Sequence, residues 1–180
     1  MGEIVSNPQL VKLFIGMLSQ EISLFNKLKE DLKEIFGPID LESPIWEWRH
    51  TDYYSKEMGS VLKRQFIFFR KLINPGIISE IKLKTNELEK QYLNENGGRR
   101  INLDPGYLDS ARIVLVSTKD FSHRIYLGNG IYGEVTLIYS GNAYQVLPYT
   151  FPDFRTQEYQ DIFKKAREMY KISLQVKQKK

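Results

Sequence analysis

Val11-Lys-Leu-Phe-Ile-Gly-Met-Leu18 is an apolar run of strand length that stops at polar Ser19. A run this short reads as a central strand buried on both faces of a sheet. Ser19 is a capping residue, and Phe25, Leu28, Leu32 and Ile35 then recur at helical spacing through Gln20–Phe36. Gly37-Pro38 ends that helix, since glycine accepts the left-handed position and proline cannot continue. Pro44–Arg49 reads as a strand with Trp46 and Trp48 on one face. In Leu62–Ile73, Arg64, Phe66, Phe68 and Arg70 share one face while Ile67 and Phe69 take the other. Asn74-Pro75 is a cap followed by a first-turn proline. It opens a helix to about Leu93 with Ile77, Ile78, Ile81, Leu88 and Tyr92 as its apolar stripe.

Beyond Gly97-Gly98 a short strand is expected at Arg99–Leu103, a turn at Asp104-Pro105-Gly106 and a strand at Ile113–Thr118. A meander follows over His123–Leu127, Val135–Tyr139 and Tyr144–Leu147, joined by Gly-Asn-Gly and Ser-Gly-Asn turns. Thr156–Leu174 closes the chain as an amphipathic helix with Tyr159, Phe163, Ala166 and Tyr170 inward. The order predicts an α+β fold: a ferredoxin-like βαββαβ core extended by an antiparallel β-meander and a C-terminal helix. Residues 1–180 form one domain, with 174–180 as a basic tail.

The hydrophobic content of 42% suffices for a core. The formal charge is +4, but removing Lys177, Lys179 and Lys180 leaves a nearly neutral body. A nucleic-acid binder carries its excess as a face rather than a tail, so basicity supports a polyanionic partner only weakly. Cysteine is absent, which excludes disulfides, thiolate metal sites and cysteine nucleophiles. With no signal-peptide pattern and no apolar run near ~20 residues, the expectation is a soluble cytoplasmic protein that does not cross a membrane.

Leu127-Gly-Asn-Gly-Ile-Tyr-Gly-Glu-Val135 matches the G-x-G-x-x-G-x-V hairpin that covers ATP phosphates in protein kinases. The remaining kinase motifs are missing, and a dinucleotide fingerprint would have to open a helix. These glycines read as turn residues. A two-residue type I′ turn at Asn129-Gly130 pairs Gly128 with Ile131, Ile125 with Glu134 and His123 with Thr136. His123 and Glu134 are then diagonal neighbours, suited to acid–base or metal chemistry. A three-residue turn shifts the pairing by one and sets Arg124 opposite Glu134 as a salt bridge.

The catalytic candidates are therefore His123, Glu134 and Asp104. Asp52, Tyr53, Tyr54 and Glu57 form a loop whose carboxylates and phenols suit a ligand hydroxyl or a cation. Tyr107 stands beside Asp104, and Arg99, Arg100, Arg112, Lys119 and Arg124 flank these loops as an anion-binding set. Asp52, Glu57, Asp104, His123 and Glu134 are expected to line one cavity. No pattern assigns a metal, a cofactor or an oligomeric state. Two readings stay open. One is a small-ligand site, enzymatic or not, for an anionic or phosphorylated compound. The other is a non-catalytic RNA- or protein-interaction module that presents Phe66 and Phe68 between Arg64 and Arg70.

Several segments together resemble one bacterial family, the domain of unknown function 4416. They include Val11–Leu18, Asp52-Tyr-Tyr-Ser-Lys-Glu-Met-Gly59, Asn102-Leu-Asp-Pro-Gly-Tyr-Leu108, His123-Arg-Ile-Tyr-Leu127, Glu134-Val-Thr-Leu and Pro152-Asp-Phe-Arg155. The resemblance spans nearly the whole chain. It implies no assigned reaction, although members are sometimes labelled GTP-binding. The sequence has neither a G-x-x-x-x-G-K-[ST] loop nor an N-K-x-D motif to carry that label.

Overall fold

Strand β1 (Val11–Ser19), buried along its whole length, sits near the middle of a single antiparallel sheet. A computed structural model describes residues 7–48, 55–59 and 61–178. Among them the order is β1, α1 (Ile22–Phe36), β2 (Ile39–Glu42), β3 (Trp46–Trp48), α2 (Ser55–Met58) and β4 (Leu62–Ile73). Then come α3 (Ile78–Lys90), β5 (Ile101–Leu108), β6 (Arg112–Ser117), β7 (Ile125–Gly128), β8 (Ile131–Ser140), β9 (Ala143–Val146) and α4 (Gln157–Gln178). Among the described residues the sheet has nine strands ordered β2-β4-β1-β5-β6-β8-β7, with β3 on β4 and β9 on β8. The fold is mixed α+β, and the meander extends the sheet. Among the described residues no helix is long and apolar enough to cross a membrane.

Each face of the sheet is covered by helix. Leu13, Ile15, Met17, Ile67 and Phe69 pack with Phe25, Leu28 and Leu32 of α1 and Ile81 and Leu88 of α3. Phe14, Phe66 and Phe68 pack on the opposite face with Tyr159, Phe163, Ala166 and Tyr170 of α4. The Phe163 ring lies 4.8, 5.1 and 5.4 Å from those of Phe14, Phe66 and Phe68. The period-2 alternation of β4 thus feeds two cores. Phe66 and Phe68 are fully buried, so they offer no open aromatic surface for stacking bases.

Three local expectations are corrected. Ser19 does not cap α1; its hydroxyl accepts from Glu21 N and donates to Arg100 O. The expected tail from residue 174 instead continues α4 to Gln178, with Leu174 packed against the core. Asp104-Pro105-Gly106 is not a turn but the middle of β5, opposite Gly16, Ile15 and Phe14 of β1. A Cβ on Gly106 would come within 2.5 Å of Phe14 Cζ, so glycine is there for close packing rather than for a turn.

Pro105 has a larger consequence. Leu103 directs both its N–H and its C=O toward α3, away from β1. Backbone direction alternates along a strand, so the Pro105 nitrogen faces the same way, toward β6, where it has no proton to offer. Pairing of β5 with β6 runs only from Leu108↔Ile113 to Gly106↔Leu115. Beyond that point the two strands part.

Candidate functional site

The parting of β5 and β6 opens a cavity of about 610 Å³ that crosses the sheet. Its walls include Lys82, Asn86 and Glu89 of α3 and Asn102 and Asp104 of β5. Arg64 comes from β4, and Leu115 through Lys119 from β6 and its extension. Phe121, Arg124 and Glu134 close the meander side, while Trp48 and residues 151–154 close the α4 side. The unpaired edge of β5 is capped from α3: Lys82 Nζ donates to Leu103 O at 2.7 Å, and Leu103 N donates to Glu89 Oε1 at 2.7 Å.

Asp104 lies within this cavity wall, its side chain one-third exposed at 33%. Arg64 Nη1 donates to its Oδ2 at 2.8 Å and Asn102 Nδ2 to its Oδ1 at 2.8 Å. Burial works against ionisation of Asp104, yet Arg64, Lys82 and the Asn102 amide hold its carboxyl below the ordinary range. Arg64 is buried between the rings of Trp48 and Phe66, and its Nε has no acceptor among the described residues. Although burial opposes its charge, Asp104, Tyr159 and Asp153 raise its pKa.

Glu134 is a buried junction. Arg124 Nε donates to its Oε2 at 2.8 Å, His123 Nε2 lies 3.1 Å from the same oxygen, and Thr136 Oγ1 lies 3.2 Å from Oε1. The expected I′ turn forms, with Asn129 at φ 57 and Gly130 at φ 72. However, the register expected from it does not continue. Gly128 at φ 94 and an extra residue, Leu127, make a bulge, so Ile125 pairs with Gly133 rather than Glu134. His123 precedes β7 and does not pair with Thr136. Its ring stacks on Tyr149 with centroids 4.3 Å apart. Gly133 leaves room for Leu127, whose Cδ1 would lie 2.8 Å from an added Cβ. The glycine pattern thus serves a bulge, a turn and a packing contact. Neither Gly128 nor Gly130 lines the cavity.

Of the residues expected to converge, Asp104 and Glu134 line the cavity together with Lys119 and Arg124. His123 reaches Glu134 but is not part of the wall. Glu57 lines a smaller neighbouring cavity of about 230 Å³ with Arg100, where Arg99 Nε and Nη2 clamp its carboxylate at 2.9 and 2.8 Å. Arg99 borders both spaces. Tyr107 packs against the core of the α1/α3 face and stays outside both. Arg112 sits at the far end of β6, paired with Asp109. Asp52, Tyr53 and Tyr54 lie outside the described residues.

The sequence places Arg64 on an interaction face with Phe66 and Phe68 rather than in this wall, and it does not single out Lys82, Asn86 or Glu89. Burial raises the Glu89 carboxyl above its ordinary range, and Lys82 and the Leu103 N–H counter this only in part. Lys82, Asn86 and Glu89 share one helical face beside the apolar Ile78–Ile81–Leu88 stripe. Polar residues at positions 82, 86 and 89, next to a buried stripe, were the available signal. Among the described residues no group of three or more His, Cys, Asp or Glu could hold a metal ion.

No curated protein and no solved structure matches the chain. The model of a family described as Domain of unknown function (DUF4416) matches residues 9–170. Because that match spans nearly the whole length, the chain belongs to the DUF4416 family.

Proposed function

We propose that the protein binds a small anionic molecule in the cleft between β5 and β6. The observation that carries this reading is the cavity itself. It is large enough for a metabolite, and Lys82 and Lys119 stand in its wall beside Arg64, Arg99 and Arg124, which are themselves paired with carboxylates. Asn86, Asn102, Ser117 and Thr118 add polar groups that can fix an orientation, and Phe121, Phe151 and Phe154 supply an apolar side. We read the β2-β4-β1-β5 part of the sheet, with α1 and α3 on one face, as a ferredoxin-like arrangement. Such a scaffold hosts many functions, so the cavity rather than the fold supports the reading. The alternative, an RNA-binding sheet face, loses its aromatic platform because α4 covers Phe66 and Phe68.

Thermal unfolding in the presence of orthophosphate, glycerol 3-phosphate, succinate and citrate tests the reading. At 100 times its Kd a ligand adds about 2.7 kcal/mol to stability, a readily measured shift. At least one anion is expected to stabilise the protein, and Lys82→Met should remove the effect. If none does, or if uncharged analogues stabilise equally, the proposal fails.

A further inference from the structure

Most charges in the cavity wall are already matched within the protein. Arg64 is bonded to Asp104, Arg99 to Glu57 and Arg124 to Glu134. Asp153 is held on both oxygens, by Trp48 Nε1 at 3.0 Å and by Phe154 N at 3.1 Å. The α3 wall differs. Glu89 uses Oε1 for the Leu103 N–H, and its Oε2 has no hydrogen-bond donor among the described residues. Lys82 places one N–H on Leu103 O and has two more to donate. Asn86, between them on the same helical face, makes no hydrogen bond among the described residues, so its amide is available as both donor and acceptor.

Lys82 and Glu89 grip the carbonyl and the amide of the same residue, Leu103. Their uncommitted atoms therefore set an ammonium and a carboxyl group about the same residue in the cavity wall. We infer that the cavity recognises a zwitterion of the α-amino-acid kind, its carboxylate on Lys82 and its ammonium on Glu89, with Asn86 between them. This rests on the anion-binding reading above and adds a second, cationic group to the ligand. Burial raises the Glu89 carboxyl above its ordinary range. A ligand ammonium would supply the missing cation and favour the carboxylate. The ligand's side chain would extend toward Phe121, Phe151 and Phe154.

Calorimetry on the full chain with matched compounds tests the inference. The sets are L-phenylalanine, 3-phenylpropanoate and phenethylamine, and L-leucine, 4-methylpentanoate and 3-methylbutylamine. In at least one set the amino acid is expected to bind about tenfold or more tighter than either partner. Glu89→Gln, whose amide oxygen can still accept from Leu103 N–H, should erase that advantage. It should leave the circular dichroism spectrum unchanged. Equal binding of carboxylate and amino acid would overturn the zwitterion while leaving the anion reading standing. Preference for the amine would overturn both. No binding in either set would overturn the zwitterion alone, since the inorganic and phosphorylated anions test the other reading separately.

Discussion

Arg64 and Asp104 bond at 2.8 Å although they belong to strands that are not neighbours, β4 and β5, with β1 between them. Gly16 permits the contact. It lies opposite Phe66 on β4 and opposite Asp104 on β5. A Cβ there would stand 2.8 Å from Arg64 Nη1 and 2.9 Å from Phe66 Cε1. Gly16→Ala must therefore displace either the guanidinium or a fully buried ring. Overpacking of this kind costs about 1–3 kcal/mol, and urea unfolding should report a loss in that range. A midpoint unchanged from the parent protein would mean that the guanidinium moves aside freely.

The two partners of the Glu134 Oε2 atom differ in how deeply they lie. The Arg124 and Glu134 side chains are 5% and 2% exposed, whereas His123 is 22% exposed. Removing Arg124 leaves a buried carboxylate without its closest cation, and breaking such a pair costs about 3–5 kcal/mol. Arg124→Met is expected to approach that loss. His123→Ala should cost about 1 kcal/mol, the scale of one modest hydrogen bond. Should the histidine variant prove the more damaging of the two, the hairpin would have a different keystone.

Legibility followed the range over which each feature is determined. Leu62–Ile73 and the inward residues of α4 were readable because periodicity depends on nearest neighbours. Asp104-Pro105-Gly106 misled because its composition favours a turn, while its strand form rests on Phe14 packing over Gly106 and on β1 pairing along β5. Neither contact is local. Asn129-Gly130 set the turn type correctly, but the bulge at Leu127 reset the partner of Glu134. The parts of Lys82 and Glu89 depend on the edge of β5, where Leu103 needs a donor and an acceptor beside Pro105. Pro105 marks where the strands part, but only the pairing of β5 with β1 shows that it lies in a strand rather than a turn.

The hairpin at Gly128–Gly133 leaves no phosphate cradle in the cavity wall, since Gly128 and Gly130 are not part of it. It also opens no helix, the element that supplies backbone N–H groups to a nucleotide phosphate. Binding of GTP or ATP tighter than about 100 μM, roughly 5.5 kcal/mol, is not expected. Calorimetry with and without magnesium checks this. Low-micromolar, magnesium-dependent binding that disappears in Gly130→Val would return the hairpin to the site.

Asp104 and Glu89 should pull the stability profile in opposite directions with pH. The carboxyl of Asp104 titrates below its ordinary range in the folded state, so its contribution is present above the unfolded pKa. That contribution is lost as pH falls through the folded value. Glu89 titrates above its ordinary range, so the folded state holds its proton longer than the unfolded chain does. Stability linked to Glu89 is complete below the unfolded pKa and is lost as pH rises through the folded one. Asp104→Asn is therefore expected to flatten the acid limb of the urea midpoint measured against pH. Glu89→Gln should flatten the decline on the other side and leave the protein more stable than its parent at neutral pH. The gain would come from removing a carboxyl group whose charged form burial disfavours. A Glu89→Gln protein less stable than its parent at neutral pH, with an unaltered profile, would show that Lys82 already neutralises this carboxylate.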